Sequence, residues 1–511
     1  MVKVHYNRLS EYAGENGGRV ALLFLLFLLS LYSLVNSGIN GMALYLGLPL
    51  SIIYIYLAFS YRMFTFWTLF LINYFVMFLG KEQLWPNGIP SSLPNELLEI
   101  ILIAIAIIDL RDSRFGNLAN LMLVGVLGWC TFCIIEVFND TCGIGININA
   151  WFTGVRLMAF QLLYAVIVFA LYINTPKRIF QLLFAWACCA LFAVFWGWKQ
   201  RTFGWTSGES YWLFVQDHQR QHMVNGITRY FGTFTDAANY GIHMAAASVV
   251  FYIVLITNKV RKYRLFFGIA GLLCTWAMFQ SGTRTAIFCM IAGFMVFLVL
   301  SKSARIIIPV SIVFGLFVGM LIFTNIGQGN NQIRRMRSAF SKNDASANVR
   351  DINKAAISKY MKDAPWGIGI GIFTQNIPAW NKFKIVSEIP PDSEYVFIWV
   401  RTGWIGVSWF LICNIIMFFG ACWTVFFRIK NRSLMGIGAA WCSGFFALHL
   451  GGYANQILMQ FPNIVIFYGG LTTVFLLPRL EQEYETYETR ELAIEAEKKR
   501  LKLEKKLAKR V

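Results

Sequence analysis

The sequence predicts an all-α fold, a polytopic transmembrane helical bundle of about 12–14 spans with a large helical loop outside the bilayer. Three observations point there. Of 511 residues, 57% are apolar and only 14% charged, far from the balance of a soluble domain. Apolar runs of membrane-crossing length recur along the chain. The connections between them alternate between cation-rich and cation-poor. Spans of about 20 residues, fourteen of them, would occupy roughly 55% of the chain, close to the apolar share. A soluble enzyme with one helical anchor is excluded. The formal charge of +19 is read as topogenic charge on loops and gives no reason to expect nucleic acid.

The runs fall near 20–37, 42–60, 64–80, 97–109, 118–138, 151–173, 179–198, 241–257, 265–281, 286–300, 306–325, 396–427, 434–451 and 460–477. With the N-terminus inside, every cytoplasmic connection is basic: Arg62, Arg111 with Arg114, Lys177-Arg178, the Lys259–Arg264 cluster, Lys302 with Arg305, and Arg428, Lys430 and Arg432. The opposite short connections are nearly bare, Lys81 excepted. The positive-inside rule therefore puts both termini in the cytoplasm. This divides the chain into a cytoplasmic N-terminus (1–19), N-terminal spans (20–198), an extracytoplasmic loop (199–240), further spans (241–325), a large extracytoplasmic loop (326–394), C-terminal spans (395–477) and a charged cytoplasmic tail (478–511). Residues 1–19 are polar and the first apolar run ends without a small-residue cleavage site, so it reads as a retained span. The tail is acidic early and basic late, the order that suits a helix macrodipole, and reads as a solvated helix.

Cysteines and histidines carry little chemistry. Cys130 and Cys133 are one helical turn apart with no second pair, so packing is preferred to zinc. His218 and His222 lack a third ligand, and His243 and His449 lie in apolar spans, where hydrogen-bonded packing is expected. Gly367, Gly369 and Gly371 alternate but no Gly-Lys-Ser/Thr follows, so ATP-driven transport is not indicated.

Arginines are the informative residues. An arginine within a bilayer costs roughly 2.5–3.5 kcal/mol on insertion scales, so one near a span needs a partner. Arg156, Arg284 and Arg401 lie close to the outer ends of apolar runs, and the outer loops add Arg229 and Arg350. For Arg156 and Arg401, local pairing or snorkelling is an equal alternative. Together the five suit a multiply charged anion such as a diphosphate, which planar guanidinium forks bind in bidentate fashion.

Four motifs resemble those of the bacterial O-antigen ligase and O-antigen polymerase superfamily. RYFGTFTDAANYG (229–241) is similar to its Arg, Gly-x-Phe, Asn segment, and SGTRTAIF (281–288) to its Ser-x-Arg helix start. The stretch from Arg350 to the Pro-x-Gly-x-Gly of APWGIGIGIF resembles the element before the last spans. Asp392-Ser393, nine residues, then Gly403-x-x-Gly406 match the ligases' spacing except at the first place, where the ligases carry His. The resemblance covers roughly 225–410. It implies a GT-C-like membrane glycosyltransferase, metal-independent and without cofactor, in the bacterial inner (plasma) membrane. Such an enzyme moves a glycan from a polyprenyl (undecaprenyl) diphosphate carrier to an acceptor hydroxyl on glycan, lipid A-core or protein at the outer face. By the resemblance Arg229 and Arg284 lead as diphosphate ligands, with Arg350 third; Arg401 and Arg156 are further candidates from their place near the outer boundary.

Asp392 stands where the ligases' proposed base would be His; a carboxylate is the weaker base, and Glu394 is the neighbouring alternative. Asp236 and Asn239 could cap the following helix or contact acceptor or sugar, and Tyr230, Phe231 and Phe234 could stack on sugar or anchor the interface. Pairing of Asp392 with Arg401 is the bland alternative at that position. The competing function is a polysaccharide flippase or other secondary transporter, but a carrier places ionisable residues near mid-membrane, whereas these arginines gather at one face.

Overall fold

The structure is a computed structural model that describes residues 52–85, 90–109, 114–224, 226–326, 329, 331–337 and 345–507, with isolated residues between 25 and 33. The apolar run 20–37, most of 42–60, Arg111 and the last four residues lie outside the described residues. Two compact units are present, residues 1–68 and 69–511. In the first, the described part is chiefly a helix over 52–60 and the start of α1 (Arg62–Lys81).

The second unit continues through α2 (Leu93–Ile108), α3 (Leu121–Ile135), α4 (Ile148–Tyr172), α5 (Pro176–Phe203), α6 (Ala237–Thr257), α7 (Arg261–Gln280), α8 (Thr285–Ser301) and α9 (Ala304–Phe323). Then come α10 (Asn331–Arg337), α11 (Ala345–Met361), α12 (Phe383–Glu388), α13 (Glu394–Trp423), α14 (Arg432–Gly452), α15 (Gly469–Val474) and α16 (Leu477–Leu507). A two-stranded ribbon, Met223–Val224 with Ile227–Thr228, is the sheet among the described residues. The all-α polytopic bundle is thus the observed class.

Helix starts follow local chemistry. Asn120, Thr175, Asp236 and Asn431 each accept backbone N–H groups of the turn they begin, and Pro176 takes the first helical position, where no donor is missed. The centre of the unit is α6 with α14, each with 83% of its most apolar stretch buried. α6 packs on α7, α8 and α14. The aromatic residues Trp186, Phe251, Trp441 and Phe467 interleave there, Trp186 and Trp441 stacked at 5.2 Å. His243 is buried among them: its Nε2 lies 3.0 Å from the Trp186 indole N–H and so accepts, leaving Nδ1 to donate to Asn463 Oδ1 at 2.7 Å. His449 bonds Asn414 and the Phe445 carbonyl.

Among the described residues, seven helices are long and apolar enough to cross a membrane, or eight if the bent pair Ile464–Val474 and Leu477–Leu507 counts as one span. The larger count of 12–14 took in shorter or more polar helices. α2 has 16 residues, about 24 Å, and contains Glu96 and Glu99; α8 has 17; α7 opens with Arg261, Lys262 and Arg264. Each still coincides with a predicted apolar run.

The two ends of the bundle differ in kind. At one, α16 leaves the last span at 83° and lies against the basic connections: Lys259 pairs with Glu488 at 2.9 Å and Lys262 with Glu491, while Tyr263 and Tyr487 share a 2.9 Å hydrogen bond. Glu481 also accepts the Lys430 N–H at 2.7 Å. The tail is therefore docked along its acidic half, more than the solvated helix expected. The segments 281–284 and 229–236 sit at the opposite end of α6, which is about 31 Å long. Lys81, the lone cation predicted in the short connections on that side, donates to the Phe234 carbonyl and lies 3.9 Å from the Phe231 ring.

Exposed positions test the orientation. Cysteines introduced at Lys359 and Lys430, in a background without reactive native thiols, should differ under a membrane-impermeant reagent added outside: 359 labelled, 430 protected. The reverse pattern rejects the assignment of sides.

Candidate functional site

The site forms where four separate segments meet. The ribbon 223–228 delivers Arg229, whose backbone N–H donates to the His222 carbonyl at 2.8 Å. Its guanidinium reaches the turn between α7 and α8, with Nε donating to Ser281 O (3.3 Å) and Nη2 to Thr283 Oγ1 (3.0 Å), and Nη1 donates to Gln221 O (3.1 Å). All three acceptors are neutral. Burial, and next the neighbouring Arg335, push the Arg229 guanidinium down to about 10.

The Ser-Gly-Thr-Arg turn is itself braced. Thr283 Oγ1 donates to the Ala237 carbonyl at 2.8 Å, and Ser281 Oγ to Met278 O at 2.7 Å. Gly282 has φ +59°, and a Cβ there would lie 3.4 Å from Arg335 Cδ and 3.5 Å from Arg229 Cγ. The left-handed backbone favours glycine here, and both arginines pack within van der Waals reach of the position. Arg335 Nε donates to the Gly282 carbonyl at 3.1 Å, and Arg284 occupies the position just before α8.

Two adjoining cavities result. The smaller, about 80 Å³, is lined by Arg229, Arg284, Arg335, Arg350 and Asn455 together with Gly282, Thr283 and Thr285. The larger, about 430 Å³, shares Arg229, Arg335 and Asn455 and adds His222, Asp236, Asp392 and Gln456 among its walls. Arg350 and Asn353 lie three residues apart on α11, and Asn353 Nδ2 donates to Asp392 Oδ2 at 2.9 Å. Asp392 thus takes an asparagine as partner, with Arg401 elsewhere.

The third wall is the connection after α14. Ser393 Oγ donates to Gly452 O at 3.1 Å, Gln456 Nε2 to Pro391 O, and the Leu458 N–H to Glu394 Oε2 at 2.9 Å. Glu394 is only 2% exposed and lines neither cavity; its carboxylate anchors the connection. Asn455 is held by that scaffold and lines both cavities, with its Nδ2 buried and unpartnered among the described residues.

The other two arginine candidates line neither cavity. Arg156 makes a bidentate bond to Glu96 (2.8 and 2.9 Å), the local pairing weighed against anion binding. Arg401 is 7% exposed, with its guanidinium 4.2 Å from the Phe373 ring and 5.4 Å from Phe397. Its carbonyl accepts the Gly369 N–H at 3.0 Å, where the glycine-rich element crosses the kink at Gly403. A Cβ on Gly403 would come 1.8 Å from the Pro365 carbonyl oxygen, so these motif glycines serve close backbone approach.

Asp236 is the helix cap, its Oδ1 accepting from Ala238 (2.7 Å) and Asn239 (2.9 Å), and it also faces the larger cavity. Asn239 is fully buried, bonded to Thr235, Gln460 and Asn463. Tyr230 stands beside Trp205, ring centres 6.0 Å apart, outside both cavities. Phe231 and Phe234 are core residues, unable to present a face to sugar.

Sequence reasoning missed Arg335, His222, Asn455 and Gln456. Arg335 has a signal in the basic run IRRMR, but a long loop can carry basic charge on either side of a membrane, so the run alone does not mark a site. Asn455 and Gln456 had none. They sit in an uncharged connection that only the fold brings to the arginines.

Residues 269–411 match the protein-family model described as O-antigen ligase. The match covers part of the chain and supports the superfamily whose motifs the sequence resembles. It also supports an O-antigen ligase-type function in a multi-pass membrane protein, of the kind that handles lipid-linked glycans and acceptors. The matched segment contains Arg284, Arg335, Arg350, Asp392, Glu394 and Arg401, whereas Arg229, Asp236 and Asn455 lie beyond it. No curated protein matches the chain.

His222 gives a pH test. Buried beside Lys81 and Arg229, it is pushed down to about 3, chiefly by desolvation. Because the unfolded imidazole titrates near 6.5, the unfolded chain binds the extra proton between these values. The contribution is full above about pH 6.5 and is lost as pH falls towards 3. Melting temperature should drop on acidification through that window, and His222→Gln should flatten the drop; an unchanged slope would contradict it.

Proposed function

We propose that the protein transfers a glycan from a polyprenyl diphosphate carrier to an acceptor hydroxyl at the outer face of the bacterial plasma membrane, as an O-antigen ligase or surface polysaccharide polymerase. One observation carries the reading: Arg229, Arg284, Arg335 and Arg350, from four different segments, line one small cavity that adjoins the chamber containing Asp392. The arginines are assigned the donor diphosphate and the chamber the reacting sugar and acceptor.

The chemistry follows from that division. The acceptor oxygen bonds to the anomeric carbon as the carbon–oxygen bond to the diphosphate breaks. The electron pair leaves on the diphosphate, and the hydroxyl proton passes to the Asp392 carboxylate. Negative charge grows where four guanidinium groups are already placed, so little reorganisation accompanies bond breaking. Asn353 keeps the Asp392 carboxylate oriented through its 2.9 Å bond. Asn455, with an unspent amide donor between diphosphate and base, is a further ligand for the leaving oxygen. No step calls for a nucleotide sugar or cofactor. Glu394 is assigned a positioning role.

Substitution separates these roles. Asp392→Asn should retain binding of the lipid-linked donor while transfer by purified protein falls by roughly two to four orders of magnitude, the usual worth of general base catalysis. Near-normal transfer would remove Asp392 as base. Arg284→Lys keeps charge but loses the fork, and should cut turnover by roughly 10²-fold with melting temperature held. Glycan analysis of a deletion strain separates the acceptors: loss of capped lipid A-core, shortened repeats or unmodified protein.

A further inference from the structure

A third cavity, about 540 Å³, lies among α6, α7, α8 and α9. Its walls include Tyr252, Leu272, Met290, Phe294, Val313 and Phe317, and are apolar throughout. The two hydroxyls on it, Tyr252 and Thr275, are 3.1 Å apart and bond each other, leaving nothing directed at a polar ligand. Leu272 and Val313 are 63% and 68% exposed, so the cavity opens sideways on the face that meets lipid. A pocket of this size accommodates a substantial apolar ligand.

Its position is the decisive fact. Arg284 immediately precedes α8, whose Met290 and Phe294 line the cavity about 9 and 15 Å further along the axis. Leu272 lies on α7 about 12 Å below the turn that Arg229 and Arg335 grip. Arg229 leads into α6, which supplies Tyr252, and Arg335 follows α9, which supplies Val313 and Phe317. Arg284 stands at the start of α8, and Arg229 and Arg335 bond the α7–α8 turn, so three of the four cavity arginines gather at the end of a hairpin that also walls the apolar cavity. Cations above and hydrocarbon below complement one amphiphile, a diphosphate with a long apolar chain.

We propose that this cavity holds the hydrocarbon chain of the lipid diphosphate whose head group occupies the arginine cavity; the inference rests on the donor reading above. The chain runs down the α7–α8 hairpin, entering from the bilayer between α7 and α9. Binding there draws on the carrier lipid as well as on its diphosphate, and selects donors by chain length.

The test compares two donors with the same glycan and diphosphate, one on a full-length polyprenyl chain and one on a short-chain analogue, with purified full-length protein. Val313→Trp and Leu272→Trp, at lipid-exposed positions, narrow the cavity. KM for the long-chain donor should rise roughly tenfold, the worth of about two lost methylene contacts, and KM for the short-chain donor should hold. In wild-type protein, a long-chain donor carrying a photoreactive group on its tail should crosslink to α7, α8 or α9. Equal effects on both donors, no effect on either, or crosslinks confined to other helices would overturn the inference. The underlying reading fails separately, if Arg284→Lys leaves both donors transferred at the wild-type rate.

Discussion

The structure depends on one constraint: guanidinium groups must be held together at the end of an apolar bundle. Like charges this close repel, and the depressed proton affinity of Arg229 records that cost together with its burial. Neutral oxygens supply part of the answer. Ser281, Thr283 and Gln221 present two carbonyls and a hydroxyl to Arg229, fixing its fork through neutral oxygens, and the Gly282 carbonyl accepts from Arg335 Nε. Arg156, by contrast, meets Glu96 in a bidentate pair and is neutralised. This difference in partner, carboxylate against neutral oxygen, separates Arg229, assigned to the donor diphosphate in the proposed function, from Arg156, which braces the fold.

Everything around the cavity serves to aim those groups. Gly282 adopts the left-handed backbone of the turn that Arg229 and Arg335 grip. Asp236 caps α6 and fixes the Ala237 carbonyl on which Thr283 rests. Glu394 spends a buried carboxylate on the connection that carries Asn455 and Gln456. At the far end of α6, ion pairs of α16 with Lys259 and Lys262 secure the α6–α7 connection, so the hairpin bearing Arg284 is held at both ends.

Much of this was legible in the sequence, for different reasons at each level. Helices and their apolar runs follow from composition and length, which act locally. The gathering of Arg229, Arg284 and Arg350 was legible from motif order, and the wall formed by Asp392 from its spacing to Gly403 and Gly406. Arg401 and Arg156 misled because a cation near the end of a span looks alike whether it faces a cavity, a ring or a carboxylate. Asn455 was invisible, since an uncharged asparagine gains meaning only from the groups the fold sets beside it. Arg335 was visible as charge and hidden as position.

The most direct measurement is an electron cryomicroscopy map of the protein with a non-transferable polyprenyl diphosphate glycan bound. The account predicts diphosphate density in contact with Arg229, Arg284, Arg335 and Arg350, with the first sugar directed towards Asp392. Diphosphate density beside Arg401 or Arg156, with the four-arginine cavity empty, would contradict it.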